Sequence, residues 1–414
     1  MKKESVCVVG LGYIGLPTAL MFAEREVEVI GLDVDKGLVS DIDAGISKIL
    51  EGDVQRLLEK ALGGGNFRVG TKVEAADVYI LTVPTPLDRE GKPDLSFVFD
   101  AMATLLPVLR KGNMVLLEST SPVGTTDNLV SLIEAQRPDL VISGRDEPDI
   151  NVCYCPERIL PGNTIYELEN NDRIIGGVTK NCAARASELY GLFVKGQRFT
   201  TDARTAELAK LTENAYRDVN IAFANELSML CDNSGIDVWE LISLANRHPR
   251  VDILNPGPGV GGHCIAVDPL FIVDQDRDTA KLIAEARRTN DRKTQWVVSK
   301  ITSEITALSG ASSDRLTVCF VGLSFKANVG DVRNSPALDI VKGCVDLDID
   351  ILVVDPHVTK LPLVAENLKA AELEDAIKAA DLVVLLVDHK EFSEAGIREM
   401  LKNHKNLIDT RGVV

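Results

Sequence analysis

Short apolar runs alternate along this chain with longer stretches of helical spacing. Val6–Val9 is an unbroken, β-branched run stopped by Gly10, the pattern of a strand buried on both faces. Residues 14–25 carry helical spacing and Val27–Leu32 returns to the strand pattern. Val78–Val83, closed by Pro84 and Pro86, repeats it, as do Met114–Glu118 and Ile150–Tyr154. Strands that alternate with helices predict a parallel sheet covered on both faces.

The same order recurs towards the C-terminus. Val318–Gly322 echoes Val6–Gly10, Ile349–Asp355 echoes Val27–Asp33, and KAADLVVLLV echoes EAADVYILTV. Between the repeats, from Asp202 to Asn246, no strand pattern appears. There Leu208, Leu211, Ala215, Ala222, Phe223 and Leu227 recur at helical spacing. The prediction is an α/β protein with two Rossmann-like, doubly wound parallel-sheet domains joined by a central helical domain. The boundaries fall near 198 and 300, giving 1–198, 199–300 and 301–414. An apolar helix between two domains must bury its face somewhere, so it is also the expected surface of a homodimer.

Composition narrows the partners. The 414 residues exceed what one core usually serves, and 45% hydrophobic with 26% charged residues is an ordinary globular balance. A net charge of −17 opposes binding to nucleic acid or to an anionic membrane. An anionic substrate would need Arg and Lys gathered locally. The uncharged stretch from Val6 to Ala23 superficially resembles a signal or membrane segment, but Glu4, Gly10, Gly12, Gly15 and Pro17 read better as strand, turn and helix. A cytoplasmic protein is expected. The eight cysteines show no metal-ligand spacing, and most read as reduced core residues.

Three groups of residues carry chemistry. Gly10-Leu11-Gly12-Tyr13-Ile14-Gly15 follows a strand and opens a helix, so its backbone amides can approach a pyrophosphate. Asp33 closes the next strand, where a carboxylate accepts from an adenosine ribose and repels a 2′-phosphate, which favours NAD over NADP. Lys36 nearby pulls the other way. The second domain reads Gly322-Leu-Ser-Phe-Lys326 at the matching place and is expected to hold something other than a dinucleotide. Next, Pro256-Gly-Pro-Gly-Val-Gly-Gly-His-Cys264-Ile-Ala-Val-Asp268-Pro269 surrounds one thiol with glycine and proline. A structural loop with an incidental thiol is the rival reading, but the glycine density favours a nucleophile. His263 has no second His at ligand spacing, so no metal is assigned. Last, Lys210, Asn214 and Arg217 share one helix face, which without the Cys264 loop would be a solvated stripe.

The combination resembles the UDP-glucose/GDP-mannose dehydrogenase family over almost the whole chain. The motifs that carry the resemblance are Gly10–Gly15, TVPTP at 82–86, ESTSPVG at 118–124 and CPER at 155–158. They continue with AKLTENAYR at 209–217, GGHCIAVDP at 261–269, SFKANVGDVRNSP at 324–336 and DTRG at 409–412. Within the family, NRHPRV at 246–251 and the Cys264 loop look most like members that oxidise UDP-N-acetyl-D-mannosamine, with UDP-N-acetylglucosamine or UDP-glucose 6-dehydrogenases as the alternatives.

The resemblance implies NAD-binding, dimerising and UDP-binding domains in that order, and a four-electron oxidation of a UDP-sugar carbon-6 alcohol to the carboxylate for polysaccharide biosynthesis. It implies Cys264 as nucleophile, with Lys210, Asn214 and Asp268 around the reacting carbon and Glu157 linked to water activation. Where some UDP-glucose enzymes carry a second Glu, this chain has Pro161. Thr85 and Thr120 match cofactor contacts beside Tyr13 and Ile14, and Arg333 matches a group reaching the NAD pyrophosphate. Arg158, Ile159, Arg217, His248, Arg250, Gly261, Phe325, Lys326 and Arg411 match substrate contacts, with Arg250 donated by the neighbouring subunit. Two other classes compete. A two-electron hydroxyacid dehydrogenase makes one NADH per substrate and leaves the second Rossmann-like domain without a purpose. An NAD-binding sensor gives Cys264 and the Lys210 helix face nothing to do.

Overall fold

The computed structural model describes residues 4–159, 162–310, 315–359 and 368–414. Pro161 lies outside the described residues. The chain forms two compact units, Met1–Thr212 and Glu213–Val414. Among the described residues no helix is long and apolar enough to cross a membrane.

The first unit is built on eight strands: β1 (Val6–Val9), β2 (Val29–Leu32), β3 (Phe67–Gly70), β4 (Val78–Leu81), β5 (Met114–Leu117), β6 (Asn151–Tyr154), β7 (Arg173–Gly177) and β8 (Arg198–Asp202). Their order across the sheet is β3-β2-β1-β4-β5-β6-β7-β8. β1 therefore lies between β2, the next strand in sequence, and the more distant β4, with Val6 level with both Val29 and Val78. That reversal of strand order is the crevice-forming arrangement of dinucleotide folds. Alternation sorts each strand onto two cores. Val6, Val8, Val78 and Ile80 join one apolar cluster, whereas Cys7, Val9, Tyr79 and Leu81 join the other. A strand buried on both faces must be apolar at every position, which is why its sequence reads as a continuous run.

The second unit repeats the plan with five parallel strands: β9 (Leu316–Val321), β10 (Ile349–Val354), β11 (Leu368–Ala370), β12 (Leu382–Leu385) and β13 (Leu407–Asp409). They lie in the order β11-β10-β9-β12-β13. Both sheets thus place their first strand between the second and the fourth.

Three features differ from the sequence reading. β7 pairs antiparallel with β6, so the first sheet is parallel except at that step. β3, β7, β8, β11 and β13 are additional strands. β8 reads RFTTD and is mostly exposed, so it lacks the apolar run that marks the central strands. The predicted central helix is real and continuous from Ala203 to Ser234, but its apolar residues fall into two sets. Leu211, Ala215 and Ala222 are buried, while Leu208, Tyr216, Phe223 and Leu230 are exposed.

Candidate active site

In the first unit the chain leaves β1 through the glycine turn and enters the helix Gly15–Glu24. Its glycines have separate reasons. Gly10 takes φ +93°, in the left-handed region. A Cβ on Gly15 would collide with the Gly10 carbonyl and the Thr82 hydroxyl, so the helix could not start against the strand. A Cβ on Gly12 would meet nothing within 4 Å. Open space at a backbone that precedes a helix N-terminus is where a pyrophosphate fits. Asp33 stands at the end of β2 and accepts from the Leu11 amide at 2.7 Å and the Asp35 amide at 2.9 Å, which fixes its carboxylate beside the turn. Thr85 donates its hydroxyl to the Thr120 carbonyl at 2.7 Å, joining the two threonines predicted to touch cofactor. Ile14 precedes the first residue of the helix. Tyr13 bonds through its hydroxyl to Glu51 and, at 2.9 Å, to Thr164. It latches the turn to the segment around Gly162, whose amide also donates to Glu51.

The second unit repeats the strand end, the positive-φ glycine and the carboxylate of this corner and then covers the carboxylate. Gly322 takes φ +92°, and Asp355 at the end of β10 accepts from the Leu323 amide at 2.7 Å, as Asp33 does from Leu11. His389, fully buried, covers that carboxylate with Nε2 3.2 Å from Asp355 Oδ2, while its Nδ1 accepts from the Asn328 amide at 2.9 Å. The carboxylate that matches Asp33, expected to meet a ribose in the first unit, is covered here by an imidazole. His357 and Glu391 lie beside it, but both ring nitrogens of His389 already have protein partners.

A buried charge cluster sits behind CPER. Glu157 accepts from the Arg158 amide and from Arg173, both at 2.7 Å. Arg173 is almost fully buried, lies 3.5 Å from Glu118 and stacks over the Tyr190 ring at 4.6 Å. Tyr190 donates its hydroxyl to Glu118. Burial pushes the Glu118 carboxyl up to about 7, against the pull of Arg173. Neither Glu118 nor Arg173 was singled out from sequence. The usable signal was an arginine opening the otherwise apolar strand RIIGG, since a buried cation requires acids around it. Glu207, buried on the central helix, accepts from the amides of Gly124 and Thr126 at 2.6 and 2.8 Å. It thereby ties the ESTSPVG turn to the helical turn that carries Lys210.

In the second unit the Cys264 loop explains its glycines by crowding. A Cβ on Gly257 would strike Arg411, on Gly261 the Asn334 carbonyl and Pro336, and on Gly262 the Phe325 ring. The loop therefore packs backbone-first against SFKANVGDVRNSP and DTRG. Its start is pinned by the Gly257 amide donating to Asn225 at 2.8 Å. Asn225 bonds Asn290, Asn290 bonds Asp218, and Arg287 pairs with Asp218 at 2.6 Å, all in the interior. Cys264 is exposed, whereas the other seven cysteines are buried. Its carbonyl accepts from the Asp268 amide at 2.9 Å, and Asn214 donates to Asp268 Oδ2 at 2.6 Å. The structure so gathers Cys264, Asp268 and Asn214, with Lys210 one turn earlier on the same helix and Arg217 one turn later.

Other expected residues are held by acids. Arg411 pairs with Asp388 at 2.7 Å and Arg333 with Asp331 at 2.6 Å. Lys326 is exposed, and Arg158 donates to the Asp172 carbonyl at 3.1 Å beside the half-buried Ile159. His248 and Arg250 occupy an exposed turn in which the Arg250 amide donates to His248 Nδ1 at 3.3 Å.

Two Rossmann-like sheets, one with a cradle for a dinucleotide and one with that cradle closed beside a glycine-built thiol loop, define a dinucleotide-dependent oxidoreductase. The chain belongs to the UDP-glucose/GDP-mannose dehydrogenase family: it matches the family's NAD binding domain at residues 4–194, its central domain at 204–292 and its UDP binding domain at 319–414. Its cofactor is NAD. It is 50% identical over 413 residues to the NDP-N-acetyl-D-galactosaminuronic acid dehydrogenase of Ralstonia nicotianae, covering 99% of this chain and 96% of that one. It is 47% identical over 421 residues to the UDP-N-acetyl-D-mannosamine dehydrogenase of Yersinia pestis, covering 100% of both. The solved UDP-N-acetyl-mannosamine dehydrogenase from S. aureus superposes with a TM-score of 0.87 at 42% identity, covering 99% of this chain and 96% of that one.

Two predictions follow from these geometries. Gly12→Ala should unfold within about 0.5 kcal/mol of the parent yet bind NAD at least about tenfold more weakly, because only the ligand's space is filled. Gly15→Ala should itself lose about 1–3 kcal/mol of stability from overpacking. Thermal unfolding and NAD titration separate the two, and unchanged NAD affinity in Gly12→Ala would contradict the cradle. Arg173→Met should cost about 3–5 kcal/mol in urea unfolding, since it strands Glu118 and Glu157 without their cation. A loss under about 1 kcal/mol would mean that the cluster is hydrated rather than buried.

Proposed function

We propose that this protein oxidises the carbon-6 alcohol of UDP-N-acetyl-D-mannosamine to the carboxylate, using two NAD per sugar. The observation that carries the reading is the exposure of Cys264 on a backbone-packed loop, one turn from Asp268 and its Asn214 partner. NAD, when bound, accepts one hydride from the sugar carbon in each of the two oxidations. For the first, a protein base takes the hydroxyl proton and the aldehyde results. The Cys264 sulfur then adds to the carbonyl carbon, giving a thiohemiacetal whose carbon still bears a hydride to lose. Its oxidation leaves a thioester. Water adds to that carbon, the C–S bond breaks and the thiol is restored with the acid released. Lys210 and Asn214 donate to the oxygen as it gains charge, Asp268 orients Asn214, and Glu157, clamped by Arg173, orients the water. A covalent aldehyde cannot diffuse away between the two oxidations.

The substrate diphosphate is assigned to the cations of the second unit, Lys326, Arg411 and Arg217, with Arg158 and Ile159 on the sugar side. In solution we expect a homodimer. Leu208, Tyr216, Phe223 and Leu230 form an exposed apolar stripe along the central helix, and their spacing keeps them on one face. The exposed turn with Arg250 fits donation to a neighbouring subunit's site. The three-domain division at 198 and 300 fits the spans of the three family matches.

A second reading differs only at the sugar: the 50% identity to the Ralstonia protein favours a galacto-configured N-acetylhexosamine. A panel of UDP-sugars followed by NADH absorbance decides. UDP-N-acetylmannosamine should turn over best, with two NADH per sugar and far lower efficiency with NADP. Preference for the galacto epimer or for UDP-glucose would overturn the substrate, and one NADH per sugar would overturn the reaction. Phe223→Asp should shift the sedimenting species towards monomer and lower activity with it, while a monomeric parent protein would remove the dimer.

A further inference from the structure

The second unit holds a cavity of about 230 Å³ that the proposed reaction does not use. Ser228 and Asp232 of the central helix form one wall, Lys293, Trp296 and Lys300 of the helix Lys281–Ser309 another, and the end of β13 a third. The chain's two tryptophans, Trp239 and Trp296, both line it.

Its wall carries three carboxylates, Asp232, Asp237 and Asp409, and two ammonium groups, Lys293 and Lys300. Asp232 is paired with Lys300. Asp237 caps its helix by accepting from the amides of Trp239 and Glu240 at 2.8 and 3.2 Å. Asp409 accepts from the amides of Arg411, Gly412 and Val414. Each acid of the wall is therefore engaged. Lys293 is 4% exposed, donates to Ser228 Oγ at 2.8 Å and lies 3.9 Å from the centre of the Trp296 ring. It forms no ion pair among the described residues. Burial, then the charge of Lys300, pull its ammonium down to about 7, with Asp232 opposing. A buried lysine that faces a cavity and lacks a carboxylate can be charged at little cost only if an anion arrives from outside.

We propose that this cavity is a regulatory site for a small oxyanion, a carboxylate or phosphate group carried by a metabolite, held by Lys293 and Lys300 over the Trp296 face. Its output is the DTRG segment. Asp409 and Thr410 line the cavity and run directly into Arg411, and Gly412 lies so close to the Trp239 indole that a Cβ there would collide with it. An occupant that moves Trp239 or Asp409 moves Arg411. This coupling rests on the assignment of Arg411 to substrate, whereas the anion site itself does not.

Sulfate serves as probe because it does not titrate near neutrality, and intrinsic tryptophan fluorescence reports on this cavity alone. With NAD and saturating UDP present, sulfate should change the fluorescence saturably. Above pH 7 the affinity should fall by about tenfold per pH unit, since the ammonium is the form that binds. Lys293→Met should abolish the response while NAD binding persists, and Lys300→Met, at a more exposed position, should weaken it about tenfold or more. Fluorescence that does not respond, responds without pH dependence, or responds equally in both variants would overturn the site. Sulfate should also shift KM for the UDP-sugar in the parent and not in Lys293→Met. A normal fluorescence response with no KM shift would overturn the coupling to Arg411 and leave the anion site standing.

Discussion

The second unit depends on how it accommodates one buried carboxylate. Asp218 sits in the interior of the central helix, and burial pushes its carboxyl up to about 6 even against Arg287. Such a group is tolerated only when its partners are fixed. Arg287 and Asn290 from the long helix Lys281–Ser309 supply them, and Asn290 passes the constraint through Asn225 to the Gly257 amide. The loop that bears Cys264 thus begins on a hydrogen bond that cannot shift without disturbing a buried ion pair. Removing one partner of such a pair costs about 3–5 kcal/mol, so the anchor is stiff by comparison with any surface contact.

From that anchor the rest of the loop follows. Its glycines let the backbone lie against Arg411, Pro336 and Phe325, so the thiol is exposed on a segment whose main chain is held on both sides. In the proposed mechanism the thiol adds once and stays bound to the carbon through the second oxidation, and such a nucleophile gains from fixation because freedom lost in folding need not be lost again on reaction. The first unit applies the same economy to Glu157, which Arg173 and the Arg158 amide hold by both oxygens. The acidic balance of the chain fits this picture. Arg411 and Arg333 are paired with Asp388 and Asp331, and under the proposed function a diphosphate would compete with those acids for them.

The central strands and their repeat were legible because a strand covered on both faces has to be apolar throughout, and Val6–Val9 and Val318–Val321 meet that demand in full. The edge strand β8 was not, since RFTTD faces solvent and its alternation carries no apolar signal. The Cys264, Asp268 and Asn214 group could be expected from motif order, and the turn of helix at Asp268 makes it physical. The Asp218 chain and the Arg173 cluster were hidden because their members lie 72 and 55 residues apart, and no local spacing links Asn290 to Asp218 or Arg173 to Glu118. The closing of the second cradle was half legible. The missing glycines were visible, but His389, brought in from beyond β12, was not.

Covalent chemistry at Cys264 is what lets one site carry both oxidations in the proposed reaction. The direct measurement is intact-protein and peptide mass spectrometry of Cys264→Ser after mixing with NAD and the UDP-sugar, alongside acid production by Cys264→Ala. An alkoxide leaves less readily than a thiolate, so the serine variant should accumulate an ester of the sugar acid mapping to residue 264. The alanine variant should bind NAD yet form no acid. Parent-level acid from Cys264→Ala, at two NADH per sugar, would contradict the account.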